Sequence, residues 1–275
     1  MHMEDNVQRP AAWHPATLRQ ADWLIRLPTG WSPADTSGPS IVGRLLTALR
    51  DGPGFAVLRG LHLDGLDDRA CAGLGQEIIA LAGTPRPHES AAPGDHLLAR
   101  ADHTQGPEEA ALAPHTDRAG PPGPPHLLAL LCVRPAPVGG DSLLASGATV
   151  HDRLATVHPG QLPALYGDFR FGTEPGLART GPVFARTGDR LTVHYNRHQI
   201  ERGHHAAGDP LSAARTRALD AFDDVLADPD LFLRVPLRRG DLLLLDNTAV
   251  LHGRTAFTDH PDPRRRRCLT RSWAD

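Results

Sequence analysis

The sequence predicts a mainly β protein in which many short strands form a barrel or a sandwich with a few helices flanking it. The 275 residues include 27 glycines and 26 prolines, so the chain contains an unusual number of turns, as many short strands require. Six short apolar or β-prone runs are bounded by turn-forming residues. These runs cover residues 127–133, 142–145, 190–195, 231–235, 242–245 and 268–273.

The first third of the chain predicts mixed α/β structure. Residues 40–50 space their apolar side chains at helical intervals, and an Asp-Gly-Pro-Gly sequence follows them. Residues 55–59 predict a buried strand. Residues 66–82 predict a second helix, which a pair of aspartates opens and a glycine closes.

The length fits one large domain with additions. We expect an α/β N-terminal elaboration at 1–83, a probable lid loop at 84–114 that is rich in Pro, Gly, His and acidic residues, and a barrel core at 115–275. A helical insertion is predicted near 212–226, where Leu219 and Phe222 share one face with two further apolar residues.

Composition and charge argue against several kinds of partner and binding site. The formal net charge of −3 and the pI of about 6.6 provide no basic field to collect nucleic acid. No apolar stretch approaches the roughly 20 residues that a membrane helix needs. Cys71, Cys132 and Cys268 are odd in number and lack a Cys-x-x-Cys pairing, which argues against a disulfide framework or a zinc ribbon. The sequence therefore predicts a cytoplasmic protein with reduced thiols.

The first chemical motif is His115-Thr116-Asp117. Residues two apart in a strand or its extended end point to the same side, so an imidazole and a carboxylate can grip one ion. Taken alone, the motif is a weak signal, and a capped loop end is the simpler interpretation.

The second motif is His252, which follows the apolar run 242–245 and precedes a glycine. A second histidine could complete a face of two histidines and one carboxylate on iron and leave three coordination positions open. A hydrogen-bonded core histidine is the alternative.

The third motif is the arginine run 264–267, followed by Arg271. Strand alternation places Arg267 and Arg271 on one side, about 13 Å apart, so they could bind different anions. A solvated basic cluster or a nucleic-acid patch is the alternative.

Four pieces in this order resemble the taurine dioxygenase and clavaminate synthase-like (TauD/TfdA) family. They are residues 115–117, 139–147 (Gly-Gly-Asp-Ser-Leu-Leu-Ala-Ser-Gly), 251–257 (Leu-His-Gly-Arg-Thr-Ala-Phe) and 267–271. Less specific similarities at residues 54–60, 83–85, 195–197 and 240–242 extend the resemblance over most of the chain.

The resemblance implies a double-stranded β-helix, a cupin-like jelly-roll barrel with a metal at one mouth. It implies an oxygenase that uses Fe(II), O2 and the co-substrate 2-oxoglutarate. His115, Asp117 and His252 then correspond to the iron ligands. Arg267 corresponds to the arginine that binds the far carboxylate of 2-oxoglutarate, and Ser142 to a hydroxyl that helps to bind it.

Two further arginines bear on this correspondence. Arg271 matches a family arginine that lies nearer the substrate. The spacing between His252 and the 2-oxoglutarate arginine differs by about a residue among relatives, so Arg266 is the alternative to Arg267.

The resemblance favours hydroxylation of an unactivated C–H bond in an amino acid or an amino-acid-derived natural-product intermediate. Related halogenases have glycine or alanine where Asp117 stands, so halogenation is not expected. Desaturation and cyclisation use the same chemistry and remain open. Polar lid residues such as His88, Glu89, Asp102 and His103 are candidate substrate contacts, although solvated loop residues are the simpler interpretation.

Two rival functions remain. Two histidines and one aspartate could instead bind zinc in a hydrolase. The barrel could also be a non-catalytic ligand-binding protein. The oligomeric state is not readable from the sequence.

Overall fold

The computed structural model describes residues 12–35, 41–86, 109–117, 123–173 and 178–275. The helices are α1 (Ile41–Arg50), α2 (Asp68–Ile79), α3 (Gly147–Val157), α4 (Arg197–Ala206) and α5 (Ala213–Leu226). The strands of the first half are β1 (Leu24–Arg26), β2 (Phe55–Arg59), β3 (Pro85–Arg86), β4 (Leu112–His115), β5 (Leu127–Arg134), β6 (Val138–Gly139) and β7 (Ser142–Ser146). Those of the second half are β8 (Asp168–Phe171), β9 (Arg179–Pro182), β10 (Phe184–Thr187), β11 (Arg190–Val193), β12 (Leu233–Val235), β13 (Asp241–Asp246), β14 (Val250–Arg254), β15 (Phe257–Thr258) and β16 (Cys268–Ala274).

Two sheets dominate the fold. The major sheet has the strand order β1-β2-β13-β5-β16-β3, and the minor sheet has the order β12-β7-β14-β4. Strands β1 and β2 run parallel, and the other pairs within these two sheets are antiparallel. Sequence neighbours such as β13 and β14 therefore belong to different sheets, and the chain crosses between the sheets at residues 247–249.

The surroundings of strand β13 explain why its central residues, 242–245, are all apolar. Leu242 and Leu244 pack against α1 and α2 on the outer face of the major sheet. Leu243 and Leu245 point the other way, into the apolar cluster between the sheets, because successive side chains of a strand alternate. Both faces are covered, so none of the four side chains is exposed.

The minor sheet is also covered on both faces. Leu144 and Val250 belong to the cluster between the sheets, which we call the inner core. Ala145 and Leu251 point outward and pack with Phe222 of α5. The inner face of this sheet therefore meets the major sheet, and its outer face carries the helical insertion.

Polar side chains cap the first turns of four helices. The Asp67 side chain accepts a hydrogen bond from the backbone of Ala70 at the start of α2, and Ser212 accepts one from Arg215 at the start of α5. Ser146 and Asn196 cap α3 and α4 in the same way.

Most of the predicted elements are confirmed. The predictions at 40–50, 66–82 and 212–226 correspond to α1, α2 and α5, and the predicted strands at 55–59, 127–133, 142–145, 242–245 and 268–273 correspond to β2, β5, β7, β13 and β16. The fold class, mainly β with flanking helices, is confirmed as well. The divisions at 83/84 and 114/115 stay predictions.

Some boundaries were wrong. The predicted strand at 231–235 begins only at Leu233, after a 3-10 turn at Pro229–Leu231, and the one at 190–195 ends at Val193. The predicted lid loop of 84–114 contains β3 at one end and most of β4 at the other, where a pairing partner far along the chain overrides the weak local pattern. Residues 87–108 of that loop lie outside the described residues.

Helices α3 and α4 were not predicted. Helix α4 (Arg-His-Gln-Ile-Glu-Arg-Gly-His-His-Ala) buries only three residues, among them Ile200 and Gly203, so its sequence lacks an apolar stripe. Within the described residues, no helix has both the length and the apolar character that crossing a membrane requires.

A buried ion pair joins β2 to β13 and predicts a large mutational effect. Arg59 Nη2 lies 2.7 Å from Asp241 Oδ2, and the Asp241 side chain is only 1% exposed. We expect Asp241→Ala to lower the free energy of unfolding by about 3 kcal/mol because it leaves a largely buried guanidinium without its counter-charge. The matched control is Arg234→Ala, whose side chain is 62% exposed in its pair with Asp141 and should contribute less than about 1 kcal/mol. Equal losses in urea denaturation of the two variants would contradict this.

Candidate metal centre

Strands β4 and β14 bring two histidines together. His115 and His252 are direct cross-strand partners in the minor sheet, and their ring centroids lie 4.5 Å apart. Asp117 follows His115 by two residues, just beyond the end of β4. One potential ligand atom from each of the three residues lies within 4.8 Å of the others, and all three residues are buried.

The two oxygens of Asp117 have different surroundings. Oδ1 lies 3.5 Å from His115 Nε2 and 3.4 Å from His252 Nε2. Oδ2 accepts a hydrogen bond of 2.9 Å from the indole Nε1 of Trp273 and lies 3.4 Å from Arg271 Nη1. Oδ1 and the two Nε2 atoms therefore surround one point, and Oδ2 faces away from it.

The histidine nitrogens fit a metal ion at that point. His115 Nδ1 lies 2.9 Å from the carbonyl oxygen of Ala113, which selects the tautomer that donates from Nδ1 and leaves the lone pair on Nε2. Both ring nitrogens of His252 are buried, and in the described part of the chain neither has a hydrogen-bond partner. A buried polar atom without a partner costs free energy, and a metal ion bound to Nε2 would remove part of that cost.

The pKa values favour cation binding at neutral pH. Burial raises the pKa of Asp117, but the charge of Arg271 and the close approach of the two histidines outweigh burial and hold that pKa well below its usual range. Burial, together with the charge of His115, lowers the pKa of His252 to about 4. The site thus holds a carboxylate and a neutral imidazole, the protonation states that a divalent cation requires.

Asn247 fixes the backbone of Asp117. Its side-chain oxygen accepts a hydrogen bond of 2.7 Å from the backbone N–H of Asp117, and its Nδ2 donates to the carbonyl oxygens of Asp117 and Pro125 at 2.7 and 3.0 Å. Asn247 has no exposed surface. One side chain from the turn between β13 and β14 therefore holds the aspartate in register with both histidines.

A second cluster of cations lies near the same inner face. The guanidinium carbons of Arg254 and Arg267 lie 4.6 and 5.3 Å from the ring centre of Phe257. Burial, followed by the charge of Arg254, lowers the pKa of Arg267 to about 10. Arg254 is the cross-strand partner of Ser142, so Ser142 faces the same side of the sheet, and two residues further along each strand lie His252 and Leu144.

The structure separates the arginines of the run 264–267. Arg264, Arg265 and Arg266 are exposed, whereas Arg267 is partly buried. The Nε of Arg267 lies close to Gly140, where an added Cβ would come within 3.1 Å of it, so a glycine at this position makes room for the guanidinium. Arg267, rather than Arg266, therefore points into the structure.

Strand β16 carries Arg271 to the metal centre. Thr270 and Ser272 approach Gly75 of α2, so Arg271 and Trp273 point to the opposite side, where both reach Asp117. This agrees with the predicted alternation, and it adds a contact between Arg271 and a candidate ligand that the sequence did not indicate.

A profile of the family described as "Taurine catabolism dioxygenase TauD, TfdA family" matches residues 30–273, a span that contains all of the site residues above. The chain belongs to this family. The resemblance of the four sequence pieces is thereby confirmed, whereas the roles assigned to single residues stay predictions.

Several known proteins are similar to this chain in sequence or in structure. A uridine-5'-phosphate dioxygenase of Streptomyces sp is 36% identical over 153 residues, which are 52% of this chain and 53% of that protein, so the match spans about half the length of that relative. An asparagine oxygenase in complex with Fe(II), 2S,3S-3-hydroxyasparagine and succinate superposes with a TM-score of 0.63 at 19% identity and covers 92% of this chain and 93% of that one. The oxygenase OrfP in complex with Fe and alpha-ketoglutaric acid has a TM-score of 0.58 at 17% identity and covers 80% and 74% of the two chains.

Three residues of the site were missed by sequence reasoning. Arg254 and Trp273 each stand two residues beyond a residue that was singled out, His252 and Arg271, so strand alternation could have found both. Asn247 offered no comparable signal, because its role depends on Asp117, which lies 130 residues earlier.

We expect Asn247→Asp to weaken metal binding by about 10- to 100-fold and to lower the free energy of unfolding by about 2 kcal/mol. The substitution keeps the acceptor but removes both N–H donors and adds a charge beside the Asp117 backbone. Asn196→Asp is the matched control, because Asn196 only caps α4 and aspartate caps equally well. Anaerobic Fe(II) titration and thermal unfolding measure the two effects, and wild-type behaviour of Asn247→Asp would contradict them.

Proposed function

We propose that the chain is an Fe(II)- and 2-oxoglutarate-dependent oxygenase that hydroxylates an unactivated C–H bond of a small anionic molecule. The observation that carries this proposal is the buried cluster of His115, Asp117 and His252, in which two Nε2 atoms and one carboxylate oxygen converge. This ligand set is typical of non-haem Fe(II) oxygenases, and it leaves one face of the ion open.

The two main sheets are the expected halves of a double-stranded β-helix. Strands β12, β7, β14 and β4 would form one half, and the central strands of the major sheet the other. The superpositions on asparagine oxygenase and OrfP support this architecture. It would place His115 and His252 on the inner face of the minor sheet at one mouth of the barrel.

Arg267 and Ser142 would bind the co-substrate 2-oxoglutarate. With a pKa of about 10, Arg267 remains charged at neutral pH. A planar guanidinium can meet a carboxylate through two parallel hydrogen bonds. Arg267 lies against the Phe257 ring and would meet the far carboxylate of 2-oxoglutarate from that position.

The overall reaction converts 2-oxoglutarate, O2 and R–H into succinate, CO2 and R–OH. Iron(II) with 2-oxoglutarate would, when bound, activate O2, which is the oxidant: two electrons come from 2-oxoglutarate as it becomes succinate and CO2, and two come from R–H. The protein binds 2-oxoglutarate and the substrate, places one C–H bond at the open face of the metal and excludes water from the space between the sheets. The same residues would serve a desaturation or a cyclisation.

Arg271 would bind the anionic group of the substrate. Its side chain is 16% exposed, it lies beside Asp117, and its buried Nε has no hydrogen-bond partner in the described part of the chain. A free or modified amino acid is one candidate, supported by neighbours that bind hydroxyasparagine and L-homoarginine. A nucleoside 5'-phosphate is the second, supported by the similarity to uridine-5'-phosphate dioxygenase.

The rival functions are less well supported. A zinc hydrolase would use the three ligands but would leave the partly buried Arg267 without a role. A non-catalytic ligand-binding barrel would not need the deprotonated buried carboxylate of Asp117. The lid role of 84–114 and the cytoplasmic location remain proposals.

Anaerobic titration of the metal-free protein with Fe(II) and 2-oxoglutarate tests the co-substrate. We expect the weak visible charge-transfer band of the chelate in the wild type and a rise of about 100-fold in the Kd for 2-oxoglutarate in Arg267→Ala, since about 3 kcal/mol of charged hydrogen bonding is lost. The control is Arg264→Ala, an exposed arginine of the same run, which should titrate like the wild type. Absence of the band in folded wild type would contradict the proposed function.

Substrate-dependent release of succinate tests the role of Arg271. We expect amino acids or nucleoside 5'-phosphates to stimulate succinate formation and the corresponding neutral esters not to. Arg271→Leu should raise the KM for the stimulating compound by at least about tenfold, because it removes a charged hydrogen bond. The Kd for 2-oxoglutarate should change little. An unchanged KM would show that Arg271 does not bind the substrate anion.

A further inference from the structure

Asp117 has one oxygen that is directed at the histidines and one that is held elsewhere. Oδ1 lies within 3.5 Å of both Nε2 atoms, and Oδ2 accepts the 2.9 Å hydrogen bond from Trp273. A carboxylate can bind a metal through one oxygen or through both. The partner of Oδ2 therefore decides how many coordination positions Asp117 can occupy.

Trp273 is held in place on both sides. It lies in β16 between β5 and β3, where it pairs with Leu128 and Arg86. Its ring is 4% exposed and packs in the inner core with residues such as Leu128 and Leu144. The indole N–H therefore has little freedom, and its direction towards Oδ2 is set by the sheet.

Arg271 approaches the same oxygen but cannot replace the indole. Its Nη1 lies 3.4 Å from Oδ2, longer than the 2.9 Å of the Trp273 hydrogen bond and beyond the usual length of a charged hydrogen bond. A short bond from a guanidinium would also draw the negative charge of the carboxylate towards Oδ2. A neutral N–H fixes the orientation with less competition for that charge, which stays available to a cation at Oδ1.

We propose that Trp273 is a positioning residue that keeps Asp117 a one-oxygen metal ligand and so preserves an open coordination position. This inference rests on the proposed function. Without the indole N–H, Oδ2 loses its close partner in a buried place, and rotation of the carboxylate would bring it to the metal. It would then occupy one of the three positions that 2-oxoglutarate and O2 require.

The cleanest test removes the N–H and nothing else. Replacing Trp273 with 3-benzothienylalanine keeps the bicyclic ring and exchanges N–H for sulfur, and Trp273→Phe is the genetically simpler variant. The matched control is Trp13→Phe, since the Trp13 indole is 7% exposed and donates a 2.7 Å hydrogen bond to Pro53, away from the metal centre.

Two readouts do not depend on turnover. Anaerobic Fe(II) titration measures metal affinity, which we expect both Trp273 variants to keep within about threefold, because the second oxygen of Asp117 would exchange its lost hydrogen bond for a bond to the metal. Nitric oxide added to the protein with Fe(II) and 2-oxoglutarate reports the open position through its EPR signal, and we expect the fraction of Fe(II)-loaded protein giving that signal to fall at least about fivefold. Trp13→Phe should match the wild type within twofold in both measurements.

The outcomes separate this inference from the proposed function. A wild-type nitric oxide signal in the folded, Fe(II)-loaded benzothienylalanine protein would overturn the role of Trp273 and leave the oxygenase intact, and so would a loss of Fe(II) binding in place of a filled coordination position. If the wild type itself binds no Fe(II) and 2-oxoglutarate, the proposed function fails and this inference fails with it. Should Trp273→Phe not fold, the benzothienylalanine protein decides, because its packing is unchanged.

Discussion

The antiparallel pairing of β4 with β14 is the constraint on which the site depends. It sets His115 directly opposite His252, although the two residues are 137 positions apart in the chain. Asp117 joins them only because Asn247, in the turn that leads into β14, binds its backbone from both sides. A shift of one residue in this register would turn one histidine to the outer face, where α5 and its apolar neighbours pack.

Charge is distributed unevenly in the space between the sheets. Asp117 supplies a buried negative charge, and Arg271 and Arg267 bring positive charge to the same region. The apolar inner core lowers the local dielectric constant, so these charges influence one another strongly. A region with these charges attracts anions. This agrees with the proposed binding of 2-oxoglutarate, which carries two negative charges, and of an anionic substrate.

Local patterns predicted those parts of the fold in which local and tertiary demands agree. Helices α1 and α5 have apolar faces at helical spacing, and β13 has a continuous apolar run because both of its faces are covered. Local patterns did not predict helix α4, because most of its side chains are polar. It packs against β8, which lies in a different part of the chain. Strand β4 was not predicted for a related reason. Its Leu-Ala-Pro-His sequence has little strand propensity, and pairing with β14 decides its conformation.

The sequence by itself indicated the residues of the candidate site: a His-x-Asp pair, a distant histidine and an arginine before β16 stand out because alternation and residue type are local properties. Each motif alone left an alternative open, and it was their order along the chain that resembled a known family. Only the tertiary structure decided which oxygen of Asp117 faces the histidines, which arginine of the run turns inward, and that Trp273 and Asn247 hold the aspartate from 156 and 130 positions away. The physical reason is that hydrogen-bond direction and burial arise where separate strands meet, and no local pattern along the chain encodes such a meeting.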